Sequence, residues 1–385
     1  MWQSIKNIYH LCNAFLANVW YGFPAKKLTV IGVTGTDGKT TTTNLIYHIL
    51  KTSGKDVSMI STVGANINGK EHDVGFHVTT PSSWQIQKFL ARVKGYLVLE
   101  TTSHALDQNR IWGVDFTVGV LTNVTHEHLD YHKTYENYVK TKSKLLEIAK
   151  VAVVNRDDVS YEYISKLQRK NQNLVTYGLK ENANVNPKVF SFKSKLFGEF
   201  NKYNILAAVA VCKSLGIVDS DIRKGIETFR LPAGRAEIVY NEGFTVMIDF
   251  AHTPNSFAKL LLEVKKQTKG RLIHVFGAAG LRDISKRPLM GKESAKYADI
   301  VILTAEDPRS ESIEKIMDDI QAGIKGKKLY KIANRQEAIN TAIKMAKKGD
   351  FVVITGKSHE QSMNYGKGEK PWNEFNVVKS ALKNL

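Results

Sequence analysis

The chain reads as two consecutive α/β domains, the first built on a parallel sheet. Three observations predict this. Apolar, β-branched runs of strand length alternate with amphipathic stretches of helix length from residue 28 to the C-terminus, the pattern of parallel sheets covered by helices. A glycine-rich turn joins the first such strand to the first such helix. Finally, Leu231-Pro-Ala-Gly-Arg235 interrupts the alternation and reads as a linker. The expected organisation is a short helical segment over 1–27, a P-loop-type central domain over 28–230 and a Rossmann-like C-terminal domain over 231–385. With 43% apolar and 24% charged residues, each domain can bury an ordinary core.

In residues 1–27, Trp2, Ile5, Ile8, Leu11, Phe15 and Val19 recur at steps of three or four and form one apolar helical face. Asn13 and Asn18 interrupt a run already too short to span a bilayer. Without a basic start or a small-residue cleavage site, it does not read as a signal peptide. A helix packed on the next domain is expected, with weak membrane-surface or partner contact as the alternative.

Leu28–Val33 is a buried strand, and Lys39–Leu50 has helical periodicity. Between them Gly35-Thr36-Asp37-Gly38 allows a tight turn that brings backbone N–H groups and a helix N-terminus onto one point, which suits a phosphate. Lys39 would reach the outer phosphates of ATP, the Thr40 hydroxyl would hold Mg²⁺, and Thr41 continues the motif. The common P-loop pattern is not met in full: its first glycine would fall at Val33, and the nearest is Gly32.

Further strands are predicted at Val57–Ser61, Tyr96–Glu100, Phe116–Thr122 and Val151–Val154, with helices over 82–93, 134–149 and 159–169. A β-rich patch (174–197) and a helix, Glu199–Leu215, follow. Beyond the linker come strands Thr245–Ile248, Leu272–Phe276, Ile300–Thr304 and Phe351–Thr355, with helices 255–268, 312–324, 335–347 and 374–384.

Cys12 and Cys212 stand far apart without CxxC spacing, which excludes a zinc ribbon or disulfide framework and suits the cytoplasm. The net charge of +18 is spread along the chain, and no nucleic-acid module is recognisable. A solvated basic surface and an anionic substrate account for it, and no nucleic-acid partner is expected.

Glu100 ends a strand one crossover from the P-loop, well placed to hold Mg²⁺ directly or through water. Thr122-Asn-Val-Thr-His-Glu-His128-Leu-Asp-Tyr-His132 packs histidines and acids past another strand, but not at a zinc spacing. A His128 that binds a magnesium held by phosphates is the better reading. Lys142 follows on an amphipathic helix.

These motifs resemble the Mur ligases, and in particular those that add the third residue of the peptidoglycan stem peptide. The resemblance rests on Gly35-Thr-Asp-Gly-Lys-Thr40, Glu100-Thr-Thr-Ser-His104, His128-Leu-Asp-Tyr-His132 with Tyr138 and Lys142, and Phe200-Asn-Lys-Tyr-Asn204. It continues through Asp249-Phe-Ala-His252, Lys286-Arg-Pro-Leu-Met-Gly291 and Gly356-Lys-Ser-His-Glu360, in the family's order. It implies an ATP-dependent ligase of cell-wall synthesis, acting on cell shape and division, that activates a carboxylate as an acyl phosphate for attack by an amine. By resemblance Lys39, Glu100, His128 and Lys142 are catalytic; Thr40, Glu100, His128 and Lys142, the last as a carbamate, would organise Mg²⁺. Asn204, Arg235, Asp249 and His252 would serve ATP.

A muramyl-dipeptide acceptor would meet Thr79, Thr80, Thr102, Ser103, Gln108 and Arg110, with Thr102 standing where serine is commoner. For the amino-acid donor, users of meso-diaminopimelate carry Asp-Asn-Pro-Arg; here the sequence is Glu306-Asp307-Pro308-Arg309. Arg309 would take the distal carboxylate as a bidentate pair, beside Arg282, Gly356 and Glu360. Departures are Leu281 for Asp or Asn, Ser358 for Gly and Glu306 for Asp. Ahead of the P-loop there is too little chain for the family's UDP-binding domain, so either the UDP end is held differently or the acceptor carries no UDP. The alternatives are a lysine-adding or folylpolyglutamate-synthetase-like ligase, or a non-catalytic nucleotide-binding partner; a monomer is expected.

Overall fold

The computed structural model describes residues 2–75, 79–166 and 173–385. Two compact units emerge: Met1–Thr125 with Thr134–Arg230, and His126–Lys133 with Leu231–Leu385.

The first unit holds an eight-stranded sheet: β1 (Thr29–Thr34), β2 (Val57–Ser61), β3 (Gly64–Ile67), β4 (Lys70–His72), β5 (Tyr96–Glu100), β6 (Phe116–Leu121), β7 (Val151–Asn155) and β8 (Asn173–Tyr177). Their order is β4-β3-β2-β5-β1-β6-β7-β8, parallel except where β3 and β4 fold back antiparallel. β1, β2, β5 and β6 are almost wholly buried, as parallel strands covered on both faces must be, and so read as unbroken apolar runs. Their Val30, Leu97, Leu99 and Phe116 form the core with Ile86 and Phe89 of helix Ser83–Leu90. With β1 between β5 and β6, the segments that follow all three leave one edge of the sheet together, where ligands of such sheets bind.

The second unit holds β9 (Glu237–Glu242), β10 (Phe244–Asp249), β11 (Leu272–Phe276), β12 (Ile300–Leu303), β13 (Lys328–Lys331) and β14 (Phe351–Thr355), ordered β13-β12-β11-β14-β10-β9 and parallel except for β9. Val246, Ile273, Ile302 and Val352 form its core with Ile339 and Val378 from two flanking helices.

Several expectations change. The patch 174–197 contributes only β8; beyond it Asn186 accepts from Lys188 and Val189 N–H groups, and such Asx turns compete with strand pairing. Helix 159–169 shrinks to Tyr161–Ile164, with 167–169 outside the described residues. The reading passed over helix Asp219–Thr228, where Gly225 permits close packing on Ile49, and helix Lys286–Tyr297, whose Pro288 sits in the first turn, where proline costs nothing.

The N-terminal helix, Trp2–Tyr21, packs on the first unit, but not by the apolar face predicted for it. Ala14, Ala17 and Asn18 are fully buried, whereas Ile5, Ile8, Phe15 and Val19 are exposed. The Trp2 side chain lies outside the described residues. No helix among the described residues is long and apolar enough to cross a membrane.

Candidate active site

The glycine turn after β1 is fixed by the end of β6. Thr122 Oγ1 and Asn123 Nδ2 donate to the Asp37 carbonyl at 2.7 and 3.0 Å, while Asn123 Oδ1 accepts from Asp37 N–H at 3.0 Å. Thr125 N–H donates to Thr36 Oγ1 at 3.0 Å. Gly35 is obligatory: at φ 149° its Cβ would stand 1.8 Å from Thr122 Oγ1. Gly38, at φ 82°, opens helix Lys39–Thr52, and a Cβ there would meet Asn204 Oδ1 at 2.4 Å. Asn204 thus lies against the phosphate loop, its amide donating to Asn201 Oδ1 and its oxygen accepting from Thr42. Thr41 is buried in the first turn of that helix.

Lys39 Nζ donates to the Thr36 carbonyl at 2.8 Å, folded over the loop it would leave to meet a phosphate. Thr40 Oγ1 donates to Glu100 Oε1 at 3.1 Å. Glu100, 1% exposed, also accepts from Thr62 Oγ1 and N–H at 3.0 Å each. A hydroxyl and a carboxylate so placed are hard oxygen donors that fit Mg²⁺, which takes one or two protein oxygens and completes its shell with substrate phosphates and water. Among the described residues no three His, Cys, Asp or Glu side chains gather as a metal site. Lys142 is buried beneath the loop, Nζ donating to the Gly35 carbonyl at 2.6 Å and lying 4.5 Å from the Tyr138 ring centre.

The same network continues to Thr79, whose hydroxyl lies 3.0 Å from Thr62 Oγ1 and donates to it, since the Thr62 proton goes to Glu100. Thr80 Oγ1 donates to the Glu100 carbonyl and accepts from Thr102 N–H. Thr102 caps helix Ser103–Asp107, its hydroxyl accepting from Ala105 N–H, so its hydroxyl has a structural task. Gln108 Oε1 accepts from Arg110 Nε at 2.9 Å, and Arg110 donates onward to the Thr80 carbonyl at 3.3 Å, aligning the predicted acceptor residues. Sequence reasoning missed Thr62 and the Thr122–Asn123 clamp; their only sequence signal was their place just past the ends of β2 and β6.

His128 belongs to the second unit with residues 126–133. It opens the short helix Leu129–His132 in a left-handed conformation, φ 56°. Asp283 accepts from Leu129 N–H at 3.2 Å, and buried Lys286 donates to Glu127 Oε1 at 3.0 Å and to the His252 carbonyl at 2.9 Å. Glu127 and Lys286 therefore fix His128's loop to His252, a role the sequence reading did not give them. Asp249 accepts from Ala236 and Ala251 N–H at 2.6 Å each, and the Arg235 guanidinium stacks on Phe250, 4.5 Å from the ring centre. His252 and His359 rings also flank Phe250.

Around the predicted donor residues, Arg309 NH1 donates to the Gly280 carbonyl at 2.8 Å. Burial, then the Arg282 charge, lower the Arg309 pKa. Lys357, wholly buried, donates to Asp307 Oδ1 at 2.9 Å and pairs with Glu360 at 2.6 Å. This lysine, also missed, sits inside the Gly356–Glu360 motif. Burial pushes the Glu306 carboxyl up to about 8, with Arg335 and Lys286 opposing and Asp307 adding to the shift. Gly356 gives that carboxyl its room, since a Cβ there would stand 2.2 Å from Oε2. Pro308 carries the chain between Asp307 and Arg309, both left-handed, at φ 42° and 54°. Leu281 and Ser358 are left-handed as well, at φ 52° each, so these departures fall where glycine, Asn and Asp are easiest. Ser358 adds a hydrogen bond, Oγ to the Gly234 carbonyl at 2.6 Å.

A phosphate loop with a hydroxyl–carboxylate pair, followed by a second α/β unit with buried, ion-paired lysines and arginines, is the arrangement of an ATP-dependent acid–amino-acid ligase. Residues 33–212 match the Mur ligase middle domain and residues 234–358 the Mur ligase glutamate ligase domain. The chain belongs to the Mur ligase family, whose members are ATP-dependent amide ligases. Within it, the chain is 39% identical over 389 residues to the UDP-N-acetylmuramoyl-L-alanyl-D-glutamate--2,6-diaminopimelate ligase of Aquifex aeolicus, covering 95% of this chain and 80% of that one. The solved structure of a ligase of the same description aligns with a TM-score of 0.61 at 30% identity, over 93% of this chain and 78% of that one. A pseudomurein peptide ligase type C from Methanothermus fervidus shares the fold, with a TM-score of 0.68 at 22% identity over 93% of this chain and 79% of that one.

Proposed function

We propose that the protein adds meso-diaminopimelate to a muramoyl-L-Ala-D-Glu acceptor in peptidoglycan synthesis. It is read as a cytoplasmic monomer whose residues 1–27 make a weak membrane-surface contact. In the first step an acceptor carboxylate oxygen attacks the γ-phosphorus of ATP and ADP leaves, giving an acyl phosphate. The neutral donor amine then attacks the acyl carbon, phosphate leaves, and the nitrogen loses a proton to give the amide. Catalysis of this kind is mainly positioning and charge neutralisation.

Lys39 and the N–H groups of the Gly35–Thr40 turn hold the phosphates; Arg235, Asp249 and His252 are the further residues assigned to the nucleotide by the family resemblance. Thr40, Glu100 and His128 would hold Mg²⁺, which neutralises charge on the phosphoryl oxygens. Lys142 acts as a carbamate: its neutral amine bonds CO₂ and releases a proton, converting a cation into an anion that serves the metal. The amine is buried beneath the loop, and the remaining N–H can keep its bond to Gly35. Thr79, Thr80, Ser103, Gln108 and Arg110 hold the acceptor.

The observation that carries the donor choice is the half-buried Arg309 guanidinium beside Arg282, two cations that a second carboxylate satisfies and lysine cannot. Losing that partner costs roughly 2–5 kcal/mol, about thirtyfold to several thousandfold in affinity. Phosphate release with wild-type protein should therefore favour meso-diaminopimelate over L-lysine, and Arg309→Ala should raise the diaminopimelate KM while leaving that of ATP unchanged. Equal use of L-lysine by the wild type overturns the assignment. For Lys142, intact-mass measurement in bicarbonate should show the added CO₂, and Lys142→Ala should regain activity with a small carboxylate; a bare lysine in an active enzyme refutes the carbamate.

A further inference from the structure

The N-terminal helix turns its polar side to the protein and its apolar side to solvent. Asn18, fully buried, donates to the Ala14 and Trp112 carbonyls at 2.8 Å each, and Asn7 donates to Asp107 at 3.2 Å. These bonds set the helix's rotation. Opposite them Ile5, Ile8, Tyr9, Leu16, Val19 and Trp20 recur at helical spacing along one side. Tyr9 is 65% exposed and Trp20 76%, and the four aliphatic side chains are at least half exposed. A contiguous apolar stripe of this kind marks an interaction surface rather than ordinary scattered exposure.

Charge selects the occupant. The helix contains no acidic residue, and the first acid in the chain is Asp37. Lys6 lies on the helix and Lys26 and Lys27 are exposed just beyond it, in a chain of net charge +18. A second copy would bring like charges together across the stripe, whereas an anionic surface complements them. Exposed Trp and Tyr beside aliphatic residues are the composition that settles at the level of lipid headgroups.

We propose that this stripe lies in the plane of an anionic lipid bilayer surface, with Ile5, Ile8, Leu16 and Val19 below the headgroups and Tyr9 and Trp20 among them. The inference deepens the membrane contact in the reading above and is independent of substrate choice, because vesicle binding needs neither donor nor acceptor. The test sediments the purified whole chain with phosphatidylcholine vesicles, with or without phosphatidylglycerol. Binding should require phosphatidylglycerol and weaken in high salt. The pair Leu16→Gln with Trp20→Gln should lower it at least about tenfold, and Ile8→Gln alone should act in the same direction. Lys26→Glu with Lys27→Glu should do likewise, and turnover on a soluble acceptor should stay at the wild-type rate throughout. The proposal fails if the wild type stays in the supernatant with phosphatidylglycerol vesicles, or if the glutamine variants bind as well as it does. It also fails if sedimentation velocity shows a dimer that Leu16→Gln with Trp20→Gln dissolves, which would give the stripe to a second copy.

Discussion

In the first unit the phosphate corner is clamped mostly by neutral groups, with the Lys39 and Lys142 ammoniums bonded to its carbonyls, whereas in the second the donor loop is held by ion pairs. Thr122, Asn123 and Thr125 hold the glycine turn through amides and hydroxyls, and Glu100 is the corner's buried carboxylate, surrounded by threonine donors. Around Glu306–Arg309, Lys357 joins Asp307 and Glu360, while Arg335 pairs with Glu374 and donates to the Ala305 and Thr355 carbonyls. A corner whose charged members, Lys39, Glu100 and Lys142, are bonded to neutral groups rather than to one another leaves them available to charge that appears only during reaction. A loop assembled from buried ions makes the same side chains answerable for recognition and for stability.

The largest effect that follows is on the neutral side. Glu100→Ala or Lys39→Ala should lower turnover by about 10²–10³ or more, because each removes a group aimed at developing charge. Thermal unfolding should shift little, since the Thr122–Asn123 clamp remains. Near-normal ligase rates in Glu100→Ala would erase the contrast between the two regions.

On the ionic side Lys357→Met should show the reverse weighting. It leaves Asp307 and Glu360 without their shared cation, and breaking a buried pair costs about 3–5 kcal/mol. Urea unfolding should show that loss, and the donor KM should rise with it while the ATP KM holds. Unchanged stability in Lys357→Met would mean that the loop 306–309 is held by its backbone alone.

The same contrast explains what was legible in the sequence. β1, β5, β6 and β14 were plain because burial on both faces demands unbroken β-branched runs. Lys39, Thr40 and Glu100 were plain because a strand-loop-helix fixes their chemistry locally. Thr62 and Asn123 were not, since their partners Glu100 and Asp37 are 38 and 86 residues away and an isolated Thr or Asn carries no signal. Lys357 lay inside a quoted motif, yet nothing local shows that Asp307, 50 residues earlier, would meet it. The N-terminal helix was legible as a helix but not in its orientation. Periodicity finds the apolar face, and here hydrogen bonds from Asn7 and Asn18 bury the other one.

The smallest expected effect concerns Glu306, which opposes the otherwise paired ions of its loop. Its carboxyl titrates near 8 when folded, against an ordinary 4.5, and burial is the main cause. Between those two values the unfolded chain has released a proton that the folded one keeps, so stability falls as pH rises from about 4.5 to about 8 and is level above that. Glu306→Gln keeps the neutral shape and removes the titration. Measured against the wild type, the variant should match it near pH 4.5 and gain with rising pH, on the order of a few kcal/mol by pH 8 at most. A neutral Glu306 also leaves the Arg282–Arg309 pair without an extra anion beside Asp307, so diaminopimelate binding should weaken little in Glu306→Gln below pH 8. Parallel stability curves for the two proteins across that range would show that Glu306 ionises normally, and that the second unit holds one more paired ion rather than one suppressed one.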